Sequence, residues 1–135
     1  MKFLDSNVPI EVLLKSGKDF NEAFKIMESV QENNESVAVS PFILAEMFHI
    51  LRRQNKSFNL IKETLLDFLD SIGLTVLAIN NKKLNEIIEL SAKYEIDFVD
   101  ASNKILMDEH GIKEIYSFDK DFDKFKNIKR LTSLK

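Results

Sequence analysis

The chain contains no cysteine, and its 135 residues include only three glycines and two prolines. Without cysteine there is no disulfide framework, no thiolate nucleophile and no thiolate zinc site, and the composition fits a reducing compartment. No glycine-rich phosphate loop and no dinucleotide fingerprint is present. No apolar run approaches the roughly 20 residues that a membrane helix needs. The sequence opens directly on a strand-like segment, which leaves no room for a signal peptide, so a cytoplasmic protein is expected. No linker, repeat or low-complexity segment divides the chain. A hydrophobic fraction of 44% and a charged fraction of 30% are ordinary for a globular protein, and the length suits one domain spanning residues 1–135 with a real core.

The formal net charge of −3 makes the whole molecule a poor magnet for nucleic acid. Its distribution is more informative. Residues 1–40 carry seven acids and four bases, whereas residues 113–135 carry four acids and seven bases. Lys120, Lys124, Lys126, Lys129 and Arg130 are therefore candidates for a phosphate-attracting rim, as are Arg52, Arg53 and Lys56. A solvated charged surface accounts equally well for any one of them.

Apolar runs at 2–5, 37–40, 74–79 and 114–117 read as buried strands, with a short fifth near 129–132. Helical periodicity covers about 9–24, 41–54, 58–70, 81–94 and 97–110. Ser40-Pro41 supplies an N-cap followed by proline at the first helical position. Asp97 can cap the last helix, and His110-Gly111 marks its end. The alternation predicts an α/β fold of three layers, a central parallel sheet of four or five strands with helices on both faces. The eleven phenylalanines are expected to be mostly core, with Phe122 and Phe125 packing rather than stacking on bases. His49 falls on the polar side of its helix and His110 at a helix C-terminus, where a cation is favourable.

Five acids stand where strands give way to helices: Asp5, Glu46, Asp97, Asp100 and Asp119. In such a chain the carboxyl ends of parallel strands converge on one edge of the sheet, where ligands bind. Carboxylates gathered there repel one another and raise each other's pKa unless a cation neutralises them. Mg²⁺ or Mn²⁺, which favour carboxylate oxygens and keep several waters, suits that arrangement. Glu46 lies at the margin of the Ile43, Met47 and Ile50 face, where a partly desolvated carboxylate wants a partner. Asp97 is expected to cap its helix. Asp100 is expected off the apolar arc of Phe98, Ala101, Ile105 and Leu106, on the side of Asn103 and Lys104, facing a cleft. Asp119 is favoured over Asp121, which either adds a ligand or stabilises the turn. Taken singly, each acid also has a plain explanation as a turn, boundary or capping residue.

Taken in order, these segments resemble the PIN-domain family of metal-dependent nucleases along nearly the whole chain. The resemblance rests on Phe3-Leu4-Asp5-Ser6-Asn7-Val8, on Ser40-Pro41-Phe42-Ile43-Leu44-Ala45-Glu46, and on Phe98-Val99-Asp100-Ala101. It is completed by His110-Gly111-Ile112 and Ser117-Phe118-Asp119-Lys120-Asp121-Phe122. Ser117 stands where the family more often has threonine, which keeps the hydroxyl. The resemblance implies RNA hydrolysis to a 5′-phosphate and a 3′-hydroxyl, with Asp5, Glu46, Asp100 and Asp119 as the catalytic acids. Mg²⁺ or Mn²⁺ would sit on Asp5, Asp100 and Asp119, with Glu46, Asp97 and Asp121 as further candidates. Ser6, Asn7 and Ser117 would orient ligands or waters, and Arg52, Arg53, Lys120 and Lys124 would contact RNA. The short chain is similar to the toxin ribonucleases of VapBC toxin–antitoxin pairs, which implies a cognate antitoxin and a homodimer. An RNA-processing nuclease outside such a pair, or a silent RNA- or protein-binding module, are the alternatives. Receiver-type phosphotransfer onto aspartate fits poorly, because the first strand ends in a single Asp and Val39-Ser40 supplies none.

Overall fold

The computed structural model describes residues 1–15 and 17–134. Five strands, β1 (Lys2–Leu4), β2 (Val37–Val39), β3 (Leu74–Val76), β4 (Glu114–Tyr116) and β5 (Lys129–Leu131), form one sheet in the order β3-β2-β1-β4-β5. Every pairing is parallel. Parallel neighbours need crossover connections, and the helices that make them are α1 (Asn7–Leu14), α2 (Phe20–Gln31), α3 (Phe42–Arg53), α4 (Phe58–Leu69), α5 (Leu84–Tyr94) and α6 (Phe98–Glu109). None of these helices is long and apolar enough to cross a membrane.

The central three-residue strands hold together because their side chains are buried on both faces, as Val37, Ala38 and Val39 are. Phe3, Ala38 and Ile115 enter a core shared with α5 and α6. Leu4, Val37, Val39, Tyr116 and Leu131 enter a second core shared with the helices from α1 to α4. The sheet is thus the middle of three layers, as expected. Its edges differ: Thr75 and Val76 of the short edge strand β3 lie exposed, while β5 is blunted by the charges of Lys129 and Arg130.

Two expectations about helices need correction. The single helix anticipated over 9–24 is two helices, with Lys15 at φ 60° carrying the backbone out of α1. The apolar stripe of Ala23, Ile26, Met27 and Val30 then sustains α2 as far as Gln31. The segment anticipated as strand to residue 79 leaves the sheet after Val76, and a 3₁₀ turn at Asn81–Lys83 precedes α5. There the Asn80 side chain accepts the Lys82 N–H at 2.9 Å.

Helix α6 departs furthest from an amphipathic pattern, since every residue from Asp100 to Met107 is buried. Asn103 and Lys104 do not mark a solvent side, and Phe98 of the expected apolar arc is 37% exposed. The Ser102 hydroxyl donates to the Val99 carbonyl at 2.7 Å. The Lys104 ammonium pairs with Asp108 and lies 5.2 Å from the centre of the Phe125 ring. Nor are the phenylalanines mostly core: only Phe3, Phe68, Phe122 and Phe125 are buried. Phe48 and Phe58 instead stack on the surface at 5.9 Å, with the Arg52 guanidinium 4.5 Å from the Phe58 ring centre.

Helix α6 ends in a Schellman motif. Gly111 has φ 66°, and the Ile112 N–H reaches the Met107 carbonyl at 2.9 Å. Gly73 serves a different need: a Cβ there would stand 2.1 Å from the Glu35 carbonyl oxygen and 2.8 Å from that of Val30. Gly73→Ala should therefore force backbone apart and cost about 1–3 kcal/mol. Gly111→Ala, which meets nothing within 4 Å, should cost about 1 kcal/mol through the left-handed conformation alone. Chemical denaturation of the two variants checks this order.

Candidate active site

Where β1 ends, its pairing with β4 continues for one more bond, the Asp5 N–H donating to the Tyr116 carbonyl at 3.0 Å. The chain leaves β1 toward β2 on one side, and returns as β4 on the other. Such a reversal opens a crevice at the carboxyl ends of the central strands. Alternation along β1 sends Phe3 toward α6 and Leu4 away from it, and Asp5 follows Phe3. The first turn of α6 brings Asp100 to the same place, and Asp119 arrives three residues beyond β4. Asp5, Asp100 and Asp119 each present a carboxylate oxygen within 4.8 Å of the others. Asp5 and Asp100 are 3% and 8% exposed, and Asp119 is partly buried. Oxygen donors alone, without histidine or cysteine, form a hard donor set that fits a divalent cation.

Asp5 is held by its neighbours. One oxygen accepts the Ser6 N–H at 2.8 Å, and the other accepts the Ser117 hydroxyl at 2.7 Å. Ser117 Oγ in turn accepts from Asn7 Nδ2 at 3.3 Å and from the Asp119 N–H at 3.0 Å. With its acceptor side engaged twice, the hydroxyl directs its one hydrogen at Asp5. The Phe118 N–H donates to Asn7 Oδ1 at 3.3 Å, which fixes the amide's orientation. Asp119 accepts the Asp121 N–H at 2.9 Å and so caps the 3₁₀ turn Lys120–Lys124. Asn7 and Ser117 thus tie the segments after β1 and β4 around one carboxylate.

The remaining acids are arranged less closely. Glu46 stands one turn into α3, partly buried, and its Oε1 is enclosed with no hydrogen-bond partner among the described residues. Asp97 occupies the N-cap position of α6, but its side chain makes no cap bond, contrary to expectation. Asp121 lies 3.3 Å from Lys124, an ion pair that stabilises the turn.

Of the anticipated RNA contacts, Lys120 is exposed beside Asp119. Lys124 is shared between Asp121 and the Tyr94 carbonyl. Arg52 and Arg53 lie in the last turn of α3, at the opposite end from Phe42, and Arg52 donates to the Lys56 carbonyl at 2.8 Å. Arg130 is engaged by both oxygens of Asp123 at 3.0 Å. Sequence reasoning passed over one feature, the edge-on contact of Phe42 with Phe98 at 5.5 Å and 67°. Its signal was the position of each ring, Phe42 one turn before Glu46 and Phe98 between Asp97 and Asp100.

Burial dominates the electrostatics. It raises Asp5 from 3.8 to about 7, with the Glu46 and Asp119 charges adding to the rise and the Ser117 bond opposing it. Burial raises Asp100 to about 8, with Asp5, Asp119, Asp97 and Glu46 adding like charge. Glu46 is raised by burial and by Asp97, against the pull of the Ser6 hydroxyl. Folded pKa values above the unfolded ones mean that the native state holds protons the unfolded chain has released. Without metal, stability should therefore fall as pH rises from about 4 to about 8. Melting with EDTA at pH 6 and pH 8.5 should show the drop, Asp100→Asn should flatten it, and a divalent cation should restore the loss. An unchanged slope in Asp100→Asn would remove the basis for it.

Comparison with known proteins agrees with this geometry. The family model described as PIN domain matches residues 2–128. Ribonuclease VapC13 of Mycobacterium tuberculosis is 24% identical over 134 residues, covering 97% of this chain and 99% of that protein. Among solved structures, VapC20 of Mycobacterium tuberculosis, a sarcin–ricin-loop-cleaving toxin, superposes with a TM-score of 0.75 at 20% identity, covering 92% of this chain and 94% of its own. VapBC2 of Rickettsia felis, bound to a DNA fragment from its promoter, gives 0.68 at 17% identity, with 96% of both chains covered. With the match running from β1 to the approach to β5, the chain belongs to the PIN-domain family.

Proposed function

We propose that this protein is a Mg²⁺- or Mn²⁺-dependent endoribonuclease, the toxin of a toxin–antitoxin pair. The observation that carries the reading is the convergence of Asp5, Asp100 and Asp119, with oxygens within 4.8 Å of one another. The similarity to VapC ribonucleases over nearly the full chain supports the substrate class and the toxin role. Asp5, Asp100 and Asp119 are the residues that would hold the ion. Asp97 and Asp121 stand outside that convergence, and we assign them no ligand role. When bound, the ion lowers the pKa of water and offsets charge on the phosphoryl oxygens.

The chain's own residues do the rest. The Ser6 N–H and the Ser117 hydroxyl hold both oxygens of Asp5, so that it keeps one orientation. Glu46 Oε1, enclosed beside the cluster with no partner among the described residues, is the acceptor that would take a hydrogen bond from a water admitted to the site. Water adds to phosphorus, the bond from phosphorus to the 3′-oxygen breaks, and that oxygen leaves with a proton as a 3′-hydroxyl. The 5′-phosphate stays on the other fragment. Lys120 beside Asp119 would meet the RNA backbone. An antitoxin and a second copy of the chain are the proposed protein partners. The large apolar side chains exposed on α3 and α4, among them Phe48, Phe58 and Leu66, suit burial in such an assembly. The compartment that follows from an RNA substrate is the cytoplasm.

Asp5→Asn, Asp100→Asn and Asp119→Asn should each remove most metal-dependent RNA cleavage, and Asp97→Asn should be milder. Ser117→Ala should weaken metal affinity by about 10- to 100-fold, because it frees a ligand it now holds. Cleavage of single-stranded RNA against metal concentration reads both effects, and total loss in Asp97→Asn would show that the separation of these acids is wrong. Expression of the wild type should arrest growth, Asp5→Asn should not, and a small neighbouring gene product should neutralise the toxin. Harmless wild-type expression combined with cleavage in vitro would remove the toxin role and leave the nuclease.

A further inference from the structure

Phe98 is a large apolar side chain left 37% exposed at the first turn of α6, between Asp97 and Asp100. Its contact with Phe42 anchors the ring where the first turns of α3 and α6 meet. Asp97 beside it is exposed, makes no cap bond, and among the described residues forms no ion pair. It also lies outside the group of carboxylates that converge. An anchored aromatic ring next to an unengaged acceptor is what a nucleobase requires. Its face stacks on the ring, and its exocyclic amino group donates to a carboxylate.

We propose that Phe98 and Asp97 form a nucleobase site at the lip of the acid cluster, a reading that rests on the nuclease function proposed above. A base of single-stranded RNA adjoining the cleaved bond stacks on Phe98. Asp97 accepts from the amino group of adenine, cytosine or guanine, which uracil lacks. Charge argues for the base rather than another part of the substrate. Asp97 repels a phosphate, so the backbone runs along the cluster and the base turns toward the ring. Two rings hemmed by Glu46, Asp97 and Asp100 also make too small and too acidic a patch for the apolar centre of a protein interface.

The test uses oligo(U) carrying a single 2-aminopurine, with protein whose cleavage is blocked by Asp5→Asn. Binding should quench the fluorescence. Phe98→Ala should abolish the quench and weaken affinity about tenfold, the loss of one stacked base. Phe98→Tyr should retain both. With unlabelled strands, oligo(A) and oligo(C) should bind more tightly than oligo(U), and Asp97→Ala should erase that preference. Quenching and affinity unchanged in Phe98→Ala overturn the proposal, as does a base preference indifferent to Asp97. A wild-type protein that cleaves no RNA, with a quench that still depends on Phe98, keeps the base site and refutes the nuclease. Cleavage indifferent to Phe98 does the reverse. If Phe98→Ala changes only self-association in sedimentation, the ring belongs to an interface between copies and the base site is wrong.

Discussion

Asp5 and Asp100 are buried carboxylates that face each other across the end of a sheet, with Asp119 completing the set. Desolvation and mutual repulsion push both above the range in which an aspartate is ordinarily charged. Each therefore costs stability near neutral pH unless a proton or a cation balances it. The rest of the molecule is arranged to bear that cost. Two apolar cores clamp the central strands from both sides, and α6 is buried along two full turns behind Asp100. A helix fixed so deeply cannot swing its first turn outward to relieve the repulsion.

The hydrogen-bond network serves the same end from the other side. Ser117 and Asn7 lie 110 residues apart in sequence, yet their contact connects the segment after β1 with the segment after β4. The serine hydroxyl is aimed at Asp5, the less exposed of the two buried aspartates, so that carboxylate is held at both oxygens. Glu46, whose enclosed Oε1 has no such partner among the described residues, is left with an unmet acceptor. A doubly held carboxylate at Asp5 and an unmet acceptor at Glu46 thus belong to one site.

Much of this was legible in the residue order, and what was not has physical causes. Doubly buried strands such as Val37-Ala38-Val39 announce themselves by composition, because burial on both faces leaves no place for a polar residue. The segments carrying Asp5, Asp100 and Asp119 could be read because strand ends in a parallel sheet converge by topology. Helix α6 misled because amphipathicity presumes a wet side. It has none between Asp100 and Met107, and Asn103 and Lys104 are buried with the apolar residues around them. The break between α1 and α2 was hidden by continuous helical periodicity on either side of it. The exposure of Phe98 could not be inferred either, since an aromatic on the helical arc of Ala101 and Ile105 looks the same whether it faces a core or a cleft.

Parallel pairing has a consequence for the order in which this protein becomes itself. Phe3 is hydrogen-bonded into register with Ile115, and Asp5 receives its serine from 112 positions away. A polypeptide emerging from a ribosome presents Asp5 and Glu46 early, together with the helices that pack beneath them. The centre they belong to does not exist until β4 slots in beside β1, by which time nearly the whole chain has been made. Contacts of such long range form late and slowly. A nascent or clipped fragment that ends before β4 therefore lacks both the strand beside β1 and the Ser117 hydroxyl that holds Asp5, and the acid cluster is assembled only when both arrive.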